Sequence, residues 1–167
     1  MHRRLLLALA AASTLMLPGP LAARPSISAQ AAPDANFGAY KTFTWGNNLP
    51  PQGVNPVAFQ RIQSDVELGL ASKGYQKGPP PADITLILSV GAQQKTDFES
   101  WGRFGLQTDA YSYTQGSLSV DMFDTKTKRA LWHGQATETI NPEKPNASEV
   151  DVAVAKLMAR FPGAAAP

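Results

Sequence analysis

The stretch YTQGSLSVDMFDTKTKRALWHGQATE, residues 113–138, decides the fold. Leu118, Val120 and Met122 alternate with Ser117, Ser119 and Asp121. Beyond Thr125-Lys126-Thr127-Lys128, Trp132, Gly134 and Ala136 alternate with His133, Gln135 and Thr137. Successive side chains of a strand point to opposite faces, so each run predicts a half-buried strand. The polar interval joins them as an antiparallel hairpin with a four- or five-residue turn. The same alternation puts Asp121 and His133 together on the outer, wetter face.

Upstream, Ile84, Leu86, Leu88 and Val90 alternate with Thr85, Ile87 and Ser89, which predicts a further strand running out through Gln93-Gln94-Lys95. Residues 97–112 mix Phe98, Trp101, Phe104 and Tyr111 with Gly102 and Gly105, and are expected to form a long irregular loop. Before the strand, Lys77 to Ala82 contains three consecutive prolines and is a stiff connector. Before that, Asn55 caps a helix whose first residue is Pro56. Phe59, Ile62, Val66 and Leu70 form its buried stripe, and Gly74 supplies the left-handed residue past its end. The β-prone run Tyr40 to Trp45 makes a first strand. After the hairpin, Asn146 and Glu149 resemble a capping box for a last helix with Val150, Val154, Leu157 and Phe161 facing inward and Pro162 as the stop.

The order is therefore β-α-β-β-β-α. The expected class is α+β: two layers, an antiparallel sheet of about four strands and two helices on one of its faces, because the apolar stripes and the apolar sheet face then bury each other. The domain is expected over residues 37–162, after an Ala-, Ser- and Pro-rich flexible leader at 24–36 and before a disordered tail at 163–167.

Residues 1–23 do not belong to that domain. Arg3 and Arg4 precede thirteen residues, Leu5 to Leu17, in which only Ser13 and Thr14 are polar, and Pro18-Gly19-Pro20 follows. This is the pattern of a secretory signal peptide. Cleavage is expected after Ala23 or after Ala31, where Ala29-Gln30-Ala31 matches the small-x-small rule better but lies far from the apolar run. No later stretch approaches the roughly 20 apolar residues of a membrane-spanning helix. The 167-residue chain has 15 basic and 13 acidic residues. Losing Arg3 and Arg4 leaves 13 against 13, a neutral surface with no electrostatic footprint for nucleic acid.

The absence of cysteine rules out disulfides, thiol catalysis, thiolate zinc sites and a lipid anchor on an N-terminal cysteine. Beyond the signal, His133 is the sole histidine, which restricts acid–base chemistry near neutral pH and, with Asp121 and Asp124 as its nearby carboxylates, makes a weak metal constellation. There is no Gly-x-Ser-x-Gly elbow and no phosphate-cradling glycine loop. No cofactor, catalytic residue or metal ligand is expected. Phe98, Trp101, Phe104 and Tyr111 are the candidate binding residues: with the interleaved glycines they make either an adhesive surface or a cover over the open sheet face.

The chain resembles the family catalogued as domain of unknown function 4136, made up of bacterial envelope proteins that often carry lipoprotein signals. The resemblance rests on Phe37, Tyr40-Lys41-Thr42-Phe43 and Trp45, then Asn55-Pro56 with Arg61-Ile62, Lys73-Gly74-Tyr75 and Ala82-Asp83. It continues through Tyr113, Gly116-Ser117-Leu118, Val120-Asp121, Asp124, Thr127-Lys128, Leu131-Trp132, Gly134 and Ala136, and ends on Ala159-Arg160-Phe161-Pro162. It covers about residues 34–162. The resemblance implies a cell-envelope domain and brings no catalytic residues with it. Where lipoprotein relatives have the acylated cysteine, Leu21-Ala22-Ala23 is followed here by Arg24. The expected protein is a periplasmic, non-catalytic accessory or binding module whose partner is another envelope protein or envelope component; the alternative is a small periplasmic hydrolase or metal-dependent enzyme. Mass spectrometry of the exported product should place its first residue between Arg24 and Ala32; retention of Met1 to Leu17 would contradict the signal peptide.

Overall fold

The computed structural model describes residues 25–101, 107–141 and 146–163. The signal peptide assigned to residues 1–23 and most of the tail lie outside the described residues. In chain order the elements are β1 (Ser26–Ala31), a 3-10 turn (Phe37–Ala39), β2 (Thr42–Trp45), α1 (Pro56–Ala71), β3 (Gln76–Lys77), β4 (Ile84–Trp101), β5 (Gln107–Asp124), β6 (Ala130–Ile140) and α2 (Ala147–Ala159).

The expected antiparallel sheet of about four strands is not what forms. The sheet has six strands in the order β1-β6-β5-β4-β2-β3 and is mixed: β2 lies parallel to both β3 and β4, and the other pairs are antiparallel. Parallel pairing follows from α1, which carries the chain back to the end of the sheet from which β2 started. β1 arises within the supposed flexible leader. Ser26–Ala31 pairs with β6 from Thr137 to Trp132, turning Ile27, Ala29 and Ala31 toward the core. Its inward residues are mostly alanine, so its alternation is faint in the sequence and its order comes from the β6 edge. The supposed irregular loop at 97–112 is also largely strand. β4 and β5 pair in one continuous register from Ile84↔Asp124 to Trp101↔Gln107. Gly163, assigned to the tail, is buried beside Lys73.

The local signals are realised as the residues dictate. The Asn55 side chain accepts from the Val57 and Ala58 amides at 2.8 and 3.3 Å and Pro56 is the first helical residue. Gly74 has φ of +88° and allows the Tyr75 amide to reach the Leu70 carbonyl at 3.1 Å. Asn146 caps α2 through the Ser148 amide. Asp124 accepts from the Lys126 and Thr127 amides to shape the β5–β6 turn.

Buried strand residues belong overwhelmingly to one alternation phase: Ile84, Leu86 and Leu88 on β4, Leu118, Val120 and Met122 on β5, Trp132 and Ala136 on β6. Both helices therefore cover a single face, with Phe59, Ile62, Val66, Leu70, Val154 and Leu157 in the same core. Phe161, just past α2, is an aromatic hub: its ring centroid lies 5.2 Å from Phe37, 5.5 Å from Tyr75 and 5.5 Å from Trp132. Burial pushes the Tyr75 phenol up to about 12, and its hydroxyl donates to the Phe37 carbonyl at 2.9 Å. The helices touch closely at Gly69, where a Cβ would lie 2.8 Å from that of Met158, and Arg61 forms a two-point ion pair with Asp151 across them.

Gly134 leaves the space that the Trp132 indole fills: a Cβ there would lie 2.1 Å from Cη2 of that ring. Trp132→Ala should lower unfolding stability by about 3 to 5 kcal/mol, and Gly134→Ala by about 1 to 3 kcal/mol through overpacking. Denaturant unfolding of the two variants checks both; parent-like midpoints would mean that the inward phase of β6 is not as described.

Candidate functional site

The unusual feature of this sheet is its longest hairpin. On one side β6 accompanies β5 only to Thr114, paired with Ile140, and on the other β2 accompanies β4 only to Leu86, after which the Asn47 amide takes the place of a strand. That amide accepts from the Leu88 N–H at 3.0 Å and donates to the Leu88 carbonyl at 2.7 Å. From Lys95 and Tyr113 outward the described residues of β4 and β5 pair only with each other, an arm of seven residues per strand and about 23 Å in length.

Polar cross-strand pairs hold the arm in register where the core no longer can. Gln94 Nε2 donates to Thr114 Oγ1 at 2.7 Å, and the Thr96 and Ser112 hydroxyls bond at 3.0 Å on the helix-side face. On the outer face the Tyr111 and Tyr113 rings lie 6.1 Å apart. The Tyr113 phenol is raised, first by desolvation and then by its hydrogen bond to the Asp97 carboxylate.

The four candidate aromatic residues do not gather in one place. Phe98 is 70% exposed and stands opposite Ala110, whereas Tyr111 stands opposite Asp97 and so lies on the other face of the arm. Trp101 is the last residue of β4, paired with Gln107, and Phe104 lies outside the described residues. Tyr113, two residues from Tyr111, shares its face.

At the root of the arm, where the helices end, a cavity of about 130 Å³ opens among Ile62, Val90, Leu118, Ala136, Ile140 and Val150. Its walls are apolar, and the Glu138 carboxylate is its one ionisable lining group. Burial raises the Glu138 carboxyl above its ordinary value, the Glu149 charge adds to this, and Lys156 opposes it. Glu138 went unnoticed in the sequence although it continues the inward series Trp132, Gly134, Ala136. The periodicity places it opposite Gly116, whose missing Cβ leaves the space that the Ile140 side chain fills beside it.

His133 and Asp121 sit directly opposite each other on β6 and β5, with Nδ1 and Oδ1 2.6 Å apart. The pair lies half-exposed on the open face of the sheet, opposite to Glu138, so imidazole and cavity carboxyl do not converge. An exposed pair on a flat sheet lacks the water-excluding concavity that acid–base catalysis uses. Among the described residues no three of His, Asp and Glu are placed to hold a metal ion, and no helix is long and apolar enough to cross a membrane.

These features define a two-layer α+β domain: paired helices on one face of a mixed sheet, with a self-paired arm projecting from it. Residues 27–163 match the family described as a domain of unknown function, DUF4136, and the chain belongs to that family. The match takes in β1, which the sequence alone left outside the domain. No curated protein sequence matches the chain. Among solved structures it is similar to a PDZ domain protein from Parabacteroides distasonis, with a TM-score of 0.59 and 14% identity over 84% of this chain, which spans 37% of that protein. It is also similar to the PelC dodecamer from Paraburkholderia phytofirmans, with a TM-score of 0.52 and 14% identity over 81% of this chain and 95% of PelC. At those identities the likeness is one of fold.

A carboxyl raised in the folded state favours folding when protonated, so its contribution weakens as pH rises through the raised value. Glu138→Gln should therefore melt higher than the parent at pH 7 and lose that advantage below the ordinary glutamate value of 4.5. Melting curves across that range check the sign; an unchanged difference at all pH values would place Glu138 in solvent.

Proposed function

We propose that this protein is a non-catalytic accessory module of the bacterial cell envelope, exported to the periplasm, and that the β4–β5 arm is the element by which it holds another envelope component. The observation that carries this is the arm itself. A two-stranded ribbon beyond the core is at best marginal in water, and among the described side chains of this one none is buried against its own domain. A long edge with an exposed Phe98 on one face and Tyr111 on the other is suited to strand addition and aromatic anchoring. Export is supported by the Arg3, Arg4 and Leu5–Leu17 pattern. The seating of β1 on β6 favours cleavage after Ala23, because cleavage after Ala31 would remove that strand. PelC, a neighbour in fold, is a dodecamer, so assembly is one use to which this architecture is put.

The enzyme alternative would need His133 and Asp121 to act from an open face. Replacing residues 96–112 by a two-residue Asn-Gly turn joins Lys95 to Tyr113, a directly opposed pair of the phase that bonds across β4 and β5, and leaves every β6 partner in place. The shortened protein should melt within a few degrees of the parent and capture nothing from crosslinked periplasm. Phe98→Ala should weaken capture about thirtyfold with unchanged melting, and His133→Ala should change neither. Loss of activity in His133→Ala with capture intact would favour the enzyme.

A further inference from the structure

The β4 edge of the arm carries a ladder of backbone groups that no described strand covers. Leu86 and Leu88 turn their backbone groups toward the β2 side of β4, as the Gly46 amide to Leu86 carbonyl bond of 2.7 Å and the two Asn47 bonds to Leu88 establish. The β4–β5 register is unbroken, and strand hydrogen bonding alternates with a period of two. Residues 92, 94, 96, 98 and 100 therefore present their N–H and C=O groups along the edge that no strand among the described residues covers. Odd-numbered residues bond β5.

Resting on the reading of the arm as the interaction element, we infer that its partner is a second copy of this chain, joined by antiparallel β4–β4 pairing about a two-fold axis through Thr96. Two independent observations select that centre. The first is length: the edge runs from Leu88, closed by Asn47, to Trp101 at the end of the strand. Pairing centred on Thr96 sets Gly91 opposite Trp101 of the second copy, so it uses the open edge and stops short of the Asn47 clamp. The second is charge. Lys95 and Asp97 are both exposed and lie on the same face, flanking Thr96. This centre sets Lys95 of each copy opposite Asp97 of the other. Moving the axis one residue either way sets Lys95 against Lys95 or Asp97 against Asp97, and like charges directly opposite are destabilising.

Thr96 also has the required hydrogen-bonding phase, since it would exchange both of its edge-facing bonds with its own counterpart. With residues 92, 94, 98 and 100 the pairing makes about ten intermolecular backbone bonds. Tyr113 and Tyr111 stand beside Lys95 and Asp97 on β5, so each new ion pair is flanked by tyrosines on the outer face of a continuous four-stranded ribbon. A two-fold contact of this kind closes on itself and hides the edge that would otherwise recruit strands at random.

Sedimentation velocity and native mass spectrometry of the exported chain at about 100 μM should show a dimer. Lys95→Asp and Asp97→Lys should each weaken it by about tenfold or more, because each change alters both symmetry-related pairs. The double exchange Lys95→Asp with Asp97→Lys should restore it. Thr96→Pro removes an N–H that faces the edge and not β5, so it should abolish the dimer, whereas Thr96→Val, which loses the same hydroxyl bond to Ser112 but keeps that N–H, should retain it. A monomeric parent, an assembly larger than two copies, or a dimer indifferent to the charge exchanges and to Thr96→Pro would overturn the inference. If the parent is monomeric while the arm-shortened protein still loses an envelope partner, the partner is a different protein and the reading of the arm survives without this inference.

Discussion

The rest of this structure depends on a single unbroken register between two 18-residue strands, β4 and β5. Its inner half is held by apolar burial: Leu86 against Met122 and Leu88 against Val120, all fully buried under the helices. A one-residue slip would turn every one of those side chains to water. Because side-chain direction and backbone hydrogen bonding both alternate with a period of two, the buried half dictates the exposed half. The face taken by Tyr111 and Tyr113 and the edge presented by Thr96 are consequences of where Leu86 and Leu88 are buried.

Polar groups finish the sheet where burial cannot. Asn47 supplies one donor and one acceptor to Leu88, which closes the β4 edge at the point where β2 ends. Asp83 does the corresponding work at the start of β4, accepting from the Lys41 and Thr42 amides at 2.9 Å, and those bonds hold its carboxyl below the ordinary carboxylate value. β1 closes the opposite edge by covering β6. Beside the core, β6 and the start of β4 are thus managed by strand or side chain, and beyond Asn47 no described strand covers the β4 edge of the arm.

Much of the core was legible in the sequence because its signals are local. The Asn55-Pro56 cap, the Phe59, Ile62, Val66, Leu70 stripe, the turn at Thr125–Lys128 and the opposition of Asp121 and His133 each follow from residues within a few positions of one another or from simple alternation. The candidate site was less legible. Phe98, Trp101, Phe104 and Tyr111 were grouped by sequence proximity, but a strand separates neighbours in sequence onto opposite faces, and Phe98 and Tyr111 end on different sides of the arm. Glu138 was readable by phase, though its significance rests on the cavity it lines.

By itself the sequence determined the helices, their caps, the alternation phase of the buried parts of β4, β5 and β6 and the hairpin turn, because a helix satisfies its hydrogen bonds within its own segment and an apolar face declares itself by period. Only the tertiary structure decided that β2 lies parallel to β4, that Ser26–Ala31 is a strand and that the strands from Lys95 to Trp101 and from Gln107 to Tyr113 extend as an arm. A strand's hydrogen bonds are made by another segment, so residues such as Ala29, Gln94 and Ser112, whose side chains carry little preference, take their conformation from the partner that the fold brings alongside.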